Sequence, residues 1–406
     1  MTSGDLYDFA PVAWLMVVGV LLALGPLLWV WRRNAGGPGG GQARRLHALT
    51  VLTLFLTFDL TMFGAFTRLT DSGLGCPDWP GCYGNASPVG ARHEIAMAQA
   101  AQPTGPVTHG KAWVEMVHRY LATGVGVLIV VLAVATWIER RRQRRLPAPA
   151  GDSSQHVLSA WWPAATLVWV CLQGAFGAWT VTLKLFPAIV TLHLMGAMVL
   201  LVLLCIQAVR YQQAATGRRP ASVPSPVRLL LVATAALLTV QIALGGWVST
   251  NYAVLACTQF PACQDSFWPP MNFAQGFQLW RELGVDAGGV PIDFSALTAI
   301  HYVHRLMAYV VFVAIGVLVW RLRRDAVALR PQARWLAGLA LLQLATGLGN
   351  VLLDWPLVAA VLHTGGAAAL AIVLTWALCE SRRESVAARR VDVAPLSATS
   401  REAGTA

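Results

Sequence analysis

The chain has 406 residues, of which 56% are hydrophobic and 12% are charged, and its apolar residues form runs too long for the core of a soluble protein. The formal net charge of +11 could suggest a nucleic-acid partner, but 23 of the 30 Lys and Arg residues lie in five segments that flank the apolar runs. These features exclude a soluble globular protein, argue against nucleic-acid binding, and indicate an integral membrane protein.

Nine apolar runs are long enough to cross a bilayer, which requires about 20 residues of helix. They are 11–31, 47–68, 115–138, 161–181, 187–209, 227–248, 296–320, 333–353 and 356–378. The first run is preceded by Asp5 and Asp8 rather than by basic residues, so we interpret it as a retained anchor and not a cleaved signal. The Gly-rich stretch "NAGGPGGGQ" that follows predicts a flexible linker, and residues 379–406 predict a disordered cytoplasmic tail.

The arginine-rich segments alternate with loops that carry most of the acidic residues. Under the positive-inside rule, the arginine-rich segments face the cytoplasm. The N-terminus is then expected outside and the C-terminus inside, as nine spans require.

The eight spans after the linker form an internal repeat. "VHRYLA" at 117–122 recurs as "VHRLMA" at 303–308. Cys76 and Cys82 recur as Cys257 and Cys263 at an offset of 181, and Gln173, Gly177 and His193 recur as Gln343, Gly347 and His363 at an offset of 170. Two halves of four spans share one orientation, so an axis near the membrane normal should relate them.

The repeat predicts the fold class and its division. We expect an all-α integral membrane protein with two tandem pseudosymmetric four-helix bundles and one extra N-terminal helix. The predicted units are 1–46 for the extra helix and linker, 47–209 for the N-terminal bundle, 210–378 for the C-terminal bundle, and 379–406 for the tail.

Each half contains two histidines at a matched depth near the outer ends of the spans. They are His118 and His193 in the N-terminal half and His304 and His363 in the C-terminal half. A single such histidine could simply be a hydrogen-bonded core residue. Two repeated pairs with no third histidine beside them favour axial ligation of haem iron over a tetrahedral zinc site. The neighbouring glycines either leave a slot for a flat macrocycle or only permit close helix packing.

Three charged residues accompany these histidines. Arg119 and Arg305 each follow a histidine directly and could bind a haem propionate, or extend toward lipid headgroups instead. Glu115 shares a helix face with His118 and could move protons there, or pair with Arg119 or Lys111. Its counterpart in the C-terminal half is His301, and the acid Asp59 has only Val240 as its counterpart. We assign Asp59 no role.

The two cysteine pairs, Cys76 with Cys82 and Cys257 with Cys263, have the spacing C-x5-C in the predicted outer loops. An oxidising compartment permits disulfides there, so two local disulfides are expected. Either they hold the loops together or at least one pair has a redox role.

The sequence resembles the haem A synthase family. The resemblance rests on "GAFTRLTDSGLGCPDWPGC", "EMVHRYLA", "TLHLMGA", "VHRLMA" and "VLHTGGAA", which occur in this order within about residues 47–378. It implies a bacterial cell inner-membrane enzyme, an oxidoreductase that converts haem O to haem A by oxidising a porphyrin methyl group to a formyl group for terminal oxidases.

The resemblance also implies roles for individual residues. His304 and His363 would ligate a resident haem b, and His118 and His193 would take the substrate haem O. Glu115 would be the catalytic acid, and Cys76 with Cys82 would assist haem handling or electron flow. Implied partners are the lipid bilayer, the farnesyltransferase that makes haem O, and an unidentified electron acceptor; a homo-oligomer is left open.

Two alternatives remain at this point. A bis-histidine b-type cytochrome that only carries electrons explains both histidine pairs but not a Glu115 in one half alone. A haem transporter without chemistry explains a slot and the arginines but not a resident second haem. His301 also lies one turn from His304, so either could be the second-half ligand, and the repeat favours His304.

Overall fold

A computed structural model describes residues 10–33, 41–145 and 159–383. The predicted linker lies almost wholly outside these ranges, and so does the tail beyond residue 383. The described part contains eleven α-helices and two short strands: α1 Ala10–Arg33, α2 Gly41–Leu69, α3 Arg92–Ala101, α4 His109–Arg145, α5 Trp161–Thr182, α6 Pro187–Thr216, β1 Ala221–Val223, α7 Ser225–Thr250, α8 Phe273–Gly276, α9 Phe294–Asp325, α10 Arg330–Leu352, α11 Leu357–Cys379 and β2 Ser381–Arg383.

Nine helices in the described ranges are long and apolar enough to cross a membrane, which confirms the nine predicted spans and the all-α membrane class. Several extend well beyond the predicted ends. The run predicted at 115–138 is the middle of α4, which has 37 residues. Because arginine is a strong helix former, the basic segment after residue 138 continues the helix instead of ending it.

Each predicted half contains four long helices: α2, α4, α5 and α6 in the first, and α7, α9, α10 and α11 in the second. One apolar core lies around Leu128 and Leu204 in the first half. The other lies around Leu231 and Leu318 in the second half and also includes Leu201 of α6. The halves meet where α6 packs against α7 and α11, and where α2 packs against α11.

Contacts between equivalent residues locate the pseudo-twofold axis. Arg68 donates a hydrogen bond of 2.6 Å to the carbonyl of Ser249, and Tyr252 donates one of 2.5 Å to Asp71. Both pairs are separated by 181 residues, which is the offset of the repeat in this region. A residue can touch its own symmetry mate only close to the axis, so the axis passes between these pairs at the ends of α2 and α7.

The first helix packs against the N-terminal half. A Cβ atom placed on Gly19 of α1 would collide with the side chain of Thr123 on α4, so α1 approaches α4 very closely at this glycine. At the arginine-rich end of the bundles, β1 pairs in parallel with β2. The disordered tail predicted at 379–406 was therefore placed too early: Cys379 ends α11, and residues 381–383 are ordered by this strand pairing.

Candidate functional site

The four repeated histidines lie near the ends of the helices that face the two cysteine-containing loops, here called the disulfide face. His118 lies on α4 and His193 on α6, whereas His304 lies on α9 and His363 on α11. Each is about two to three turns from the start of its helix. Within each half, the two helices that carry these histidines pack against the same third helix, which is α5 in the first half and α10 in the second. The structure therefore places the members of each predicted pair in one bundle, and their joint ligation of iron stays a prediction.

A glycine on the preceding membrane-spanning helix contacts each of the four imidazoles. A Cβ atom placed on these glycines would lie 3.1 Å from Nε2 of His118 at Gly64, 3.3 Å from Cε1 of His193 at Gly177, 2.9 Å from Cε1 of His304 at Gly245, and 3.3 Å from Cε1 of His363 at Gly347. At each of these four positions, the side chain of any larger residue would clash with the imidazole ring. The glycines therefore allow each ring to lie edge-on against its neighbouring helix, and all four histidines keep part of their surface uncovered by protein.

The repeated glutamines support the backbone of two of these histidines. Gln173 donates a hydrogen bond of 2.7 Å to the carbonyl of His193, and Gln343 donates one of 2.8 Å to the carbonyl of His363. In each case a glycine three residues after the histidine leaves room for the glutamine. The sequence repeat contained these glutamines, but only the structure shows what they contact.

Glu115 and Arg119 form a buried ion pair beneath the first disulfide loop. The Glu115 side chain accepts a hydrogen bond of 2.5 Å from Nη2 of Arg119 and one of 2.8 Å from the backbone N–H of Cys76. Nη1 of Arg119 donates to loop carbonyls, including that of Pro80 at 3.1 Å and that of Gly81. The pairing that the sequence left open is present with Arg119, and it attaches the loop to α4 next to His118.

Arg305 has the same position beneath the second loop. It donates to the carbonyls of Pro261 at 3.4 Å and Ala262 at 3.0 Å, which are the counterparts of Pro80 and Gly81. Arg119 and Arg305 thus both contact loop backbone, and their contact with haem propionates stays a prediction.

His301 takes the place of Glu115 in the second half, and both of its ring nitrogens have neighbours. Its Nδ1 lies 3.1 Å from the carbonyl of Ala253, which can only accept, so Nδ1 carries the proton. Its Nε2 lies 3.5 Å from Nη2 of Arg305. His301 therefore has no ring nitrogen free for iron in this arrangement, which favours His304 as the ligand.

Both cysteine pairs form disulfides, Cys76 with Cys82 and Cys257 with Cys263. Each loop is closed by the same backbone pairing, between Cys82 and Asn85 in one and between Cys263 and Ser266 in the other. The predicted disulfides are therefore present, and the two loops share one fold next to the two histidine pairs.

Sequence reasoning missed two polar neighbours of the C-terminal histidines. The side-chain nitrogen of Gln241 lies 3.1 Å from Nδ1 of His304, and Oγ1 of Thr346 lies 2.9 Å from Nδ1 of His363. The repeat offsets place Leu60 and Phe176 at the equivalent positions. A search for residues shared by the two halves cannot detect contacts that exist in one half only. The polar residues with apolar counterparts in the other half were the signal that could have identified these contacts.

Asp59 is exposed on α2, one turn before Phe63, whose ring stacks on His118 with centroids 6.3 Å apart. Asp59 therefore lies near the first histidine pair, but no described interaction joins it to either histidine. Its role is not assigned.

Comparison with known proteins matches residues 47–375 to the COX15-CtaA family, described as cytochrome oxidase assembly protein. The chain belongs to the COX15-CtaA family. A relative from Shewanella oneidensis named "Heme A synthase" is 36% identical over 336 residues, which cover 81% of this chain and 94% of the relative. Relatives of the same name from Caulobacter vibrioides and Sinorhizobium medicae are 28% and 26% identical, covering 79% and 84% of this chain and 91% and 89% of the relatives.

The match to the COX15-CtaA family begins after the linker and ends within α11. It therefore contains both histidine pairs, Glu115 and both disulfides, and it leaves α1 outside. This extent confirms the family resemblance that the motifs indicated.

Proposed function

We propose that this protein is a multi-pass membrane oxidoreductase that oxidises a porphyrin methyl group of haem O to the formyl group of haem A. Membership of the COX15-CtaA family and the relatives named "Heme A synthase" support an enzyme of haem A synthesis that acts in cytochrome oxidase assembly. The observation that carries the proposal is a buried carboxylate, Glu115, beside one of the two repeated histidine pairs, where the other pair has His301 in its place.

The described residues fit iron porphyrins. Two imidazoles within a helical bundle are a common ligand set for haem iron, and all four histidines are only partly covered by protein. His304 and His363 would hold the resident haem b, and His118 and His193 would bind the substrate haem O. When bound, the iron porphyrin of the C-terminal half supplies electron transfer.

Glu115 is suited to accept the proton that the methyl group loses. It lies one turn before His118 on α4, and its carboxylate is 4% exposed, so bulk water does not compete for the proton. Arg119 keeps this carboxylate oriented by a 2.5 Å contact, and the N–H of Cys76 holds its other oxygen. Conversion of a methyl to a formyl group adds an oxygen atom and removes protons and electrons, so the enzyme also requires a source of oxygen and an electron acceptor.

The setting of the enzyme follows from its charges. The arginine-rich ends of the helices support a cytoplasmic location for that face, which puts the disulfide face and the N-terminus on the outer side. Haem O, which carries a long apolar tail, is then expected to reach the site through the bilayer from the farnesyltransferase that makes it. A second copy of the chain remains compatible with the fold.

The rival functions predict other products. Expression with and without a supply of haem O, followed by extraction and mass identification of the haems, separates them. We expect haem A and its hydroxylated precursor only when haem O is supplied. Unchanged haem O would contradict the proposal and favour an electron carrier or a haem transporter, neither of which the family membership favours.

The glycines opposite the rings give a second test. We expect Gly245→Ala to lower the haem content of the purified protein, because the new methyl group would lie 2.9 Å from Cε1 of His304 and overpacking of this kind costs about 1–3 kcal/mol. Gly316→Ala on α9 is the control, since nothing lies within 4 Å of its added Cβ. The absorbance of haem per protein measures the effect, and equal haem content in both variants would contradict this role of Gly245.

A further inference from the structure

The hydroxyl of Thr346 is the side-chain partner of Nδ1 of His363. Oγ1 of Thr346 lies 2.9 Å from this nitrogen, 2.8 Å from the carbonyl of Leu342 and 3.4 Å from the carbonyl of Gln343. A hydroxyl has one hydrogen, so Oγ1 can accept from the ring while it donates to a carbonyl. In that arrangement Nδ1 of His363 carries the proton, and Nε2 has the lone pair that an iron ligand requires.

The N-terminal half has no hydroxyl in this position. The offset of 170 residues places Phe176 where Thr346 stands in the C-terminal half. Nδ1 of His193 is buried and has no hydrogen-bond partner among the described residues. The ring of His193 instead interacts with the backbone of Gln173, so no side-chain hydroxyl in the described ranges holds its Nδ1.

The remaining support is equal in the two halves, which isolates this difference. The glycine contact to Cε1 is 3.3 Å for both His193 and His363, and the glutamine hydrogen bonds to their carbonyls are 2.7 Å and 2.8 Å. The two rings thus have the same packing and the same backbone support. They differ in the partner of Nδ1.

The other C-terminal histidine has a polar neighbour as well. The side-chain amide of Gln241 lies 3.1 Å from Nδ1 of His304, and Leu60 is its counterpart. An amide can donate through nitrogen or accept through oxygen, so Gln241 accommodates either tautomer of His304. Among the four ligand histidines in the described ranges, only His363 has a side-chain hydroxyl next to Nδ1.

We propose that Thr346 is a positioning residue that makes His363 a permanent iron ligand, and that Phe176 in its place leaves His193 an exchangeable one. This inference rests on the proposed function, in which the C-terminal pair keeps haem b while the N-terminal pair takes haem O and releases haem A. A hydrogen bond to Nδ1 orients the ring and makes Nε2 more basic, and loss of such a partner lowers metal affinity by about 10–100-fold. The site that must release its product lacks this bond.

Thr346→Val tests the first part, because valine keeps the branched shape and removes the hydroxyl. Thr375→Val is the matched control: Thr375 is 8% exposed against 7% for Thr346, and its hydroxyl donates to the carbonyl of Ala371 at 2.7 Å. The haem-loaded proteins are compared by the rate of haem b transfer to excess apomyoglobin and by the midpoint potential of haem b.

We expect Thr346→Val to release haem b about 10–100-fold faster than the Thr375→Val control. Its midpoint potential should rise, because a less basic ligand stabilises ferric iron less. Thr346→Ser restores the hydroxyl and should restore both values. A Thr346→Val protein that matches the control in both measurements would overturn the inference.

The reciprocal change tests the second part. Phe176→Thr supplies a hydroxyl to His193, and Phe176→Val removes the same ring without supplying one. We expect haem O and haem A, resolved from haem b by mass, to leave the Phe176→Thr protein about 10–100-fold more slowly than the Phe176→Val protein. Equal release from the two variants would overturn this part.

Failure of this inference is distinguishable from failure of the proposed function. If His304→Ala and His363→Ala proteins keep haem b, the proposed resident site is wrong. If they lose haem b while Thr346→Val behaves like Thr375→Val, the resident site stands and only the role of Thr346 is rejected.

Discussion

Replacement of Glu115 by glutamine is expected to stop conversion of haem O while the resident haem b remains bound. Glutamine keeps the size of the side chain and can still accept the hydrogen bond from the N–H of Cys76, but it cannot take up a proton. Since general-base catalysis contributes about 10²–10⁴-fold, the rate of haem A formation should fall by that factor. The measurements are the extracted haem O and haem A and the haem b spectrum.

The change at Glu115 also removes the counter-ion of Arg119, so its structural effect needs a control. Breaking a buried ion pair can cost about 3–5 kcal/mol, although loop carbonyls continue to bind the Arg119 guanidinium. Glu139→Gln is the matched control, because Glu139 is also a buried acid of α4, is 8% exposed, and contacts only Gln143 at 3.2 Å in the described hydrogen bonds. Parallel loss of haem b and of conversion in Glu115→Gln would show a structural acid instead.

Replacement of each of the four ligand histidines by alanine is expected to have one effect in the C-terminal half and a different effect in the N-terminal half. His304→Ala and His363→Ala should remove haem b, whereas His118→Ala and His193→Ala should keep haem b and lose haem O binding and conversion. Loss of a residue that hydrogen-bonds to a metal ligand lowers metal affinity by about 10–100-fold. Loss of the ligand itself should therefore lower the haem content at least that much. Haem spectra and haem mass analysis of each purified variant measure this.

His301→Ala is the control for these variants, since His301 lies one turn from His304 and its Nδ1 contacts the carbonyl of Ala253. We expect this protein to keep its haem b spectrum. Loss of the spectrum in His301→Ala together with its retention in His304→Ala would reverse the assignment of the ligand.

The spans, the repeat and the histidine pairs could all be predicted from the sequence, because each depends on patterns along the chain. Apolar length predicts a membrane helix, since the bilayer core admits no unpaired backbone groups. Repetition of "VHR" and of the cysteine spacing then relates His118 to His304 without any coordinates. The helix ends were less predictable. The arginines after residue 138 favour a helix and can also be solvated, so their presence does not show where the helix ends.

Contacts that occur in one half alone were not predictable in this way. Thr346 and Gln241 have apolar counterparts, so a search for shared residues passes over them, and neither is close in sequence to the histidine that it contacts. The ion pair between Glu115 and Arg119 was one of several options from helix spacing. Its hydrogen bond to Cys76, 39 residues away, required the folded loop.

The sequence by itself determined that this is a duplicated membrane protein with one histidine pair in each half, because span length and repeat offset are properties of the chain. Only the tertiary structure decided how the two pairs differ. Hydrogen bonds to an imidazole depend on side chains from other helices, and their direction depends on which atom has a hydrogen to donate. Thr346 offers a hydroxyl to Nδ1 of His363, while Phe176 offers none to His193.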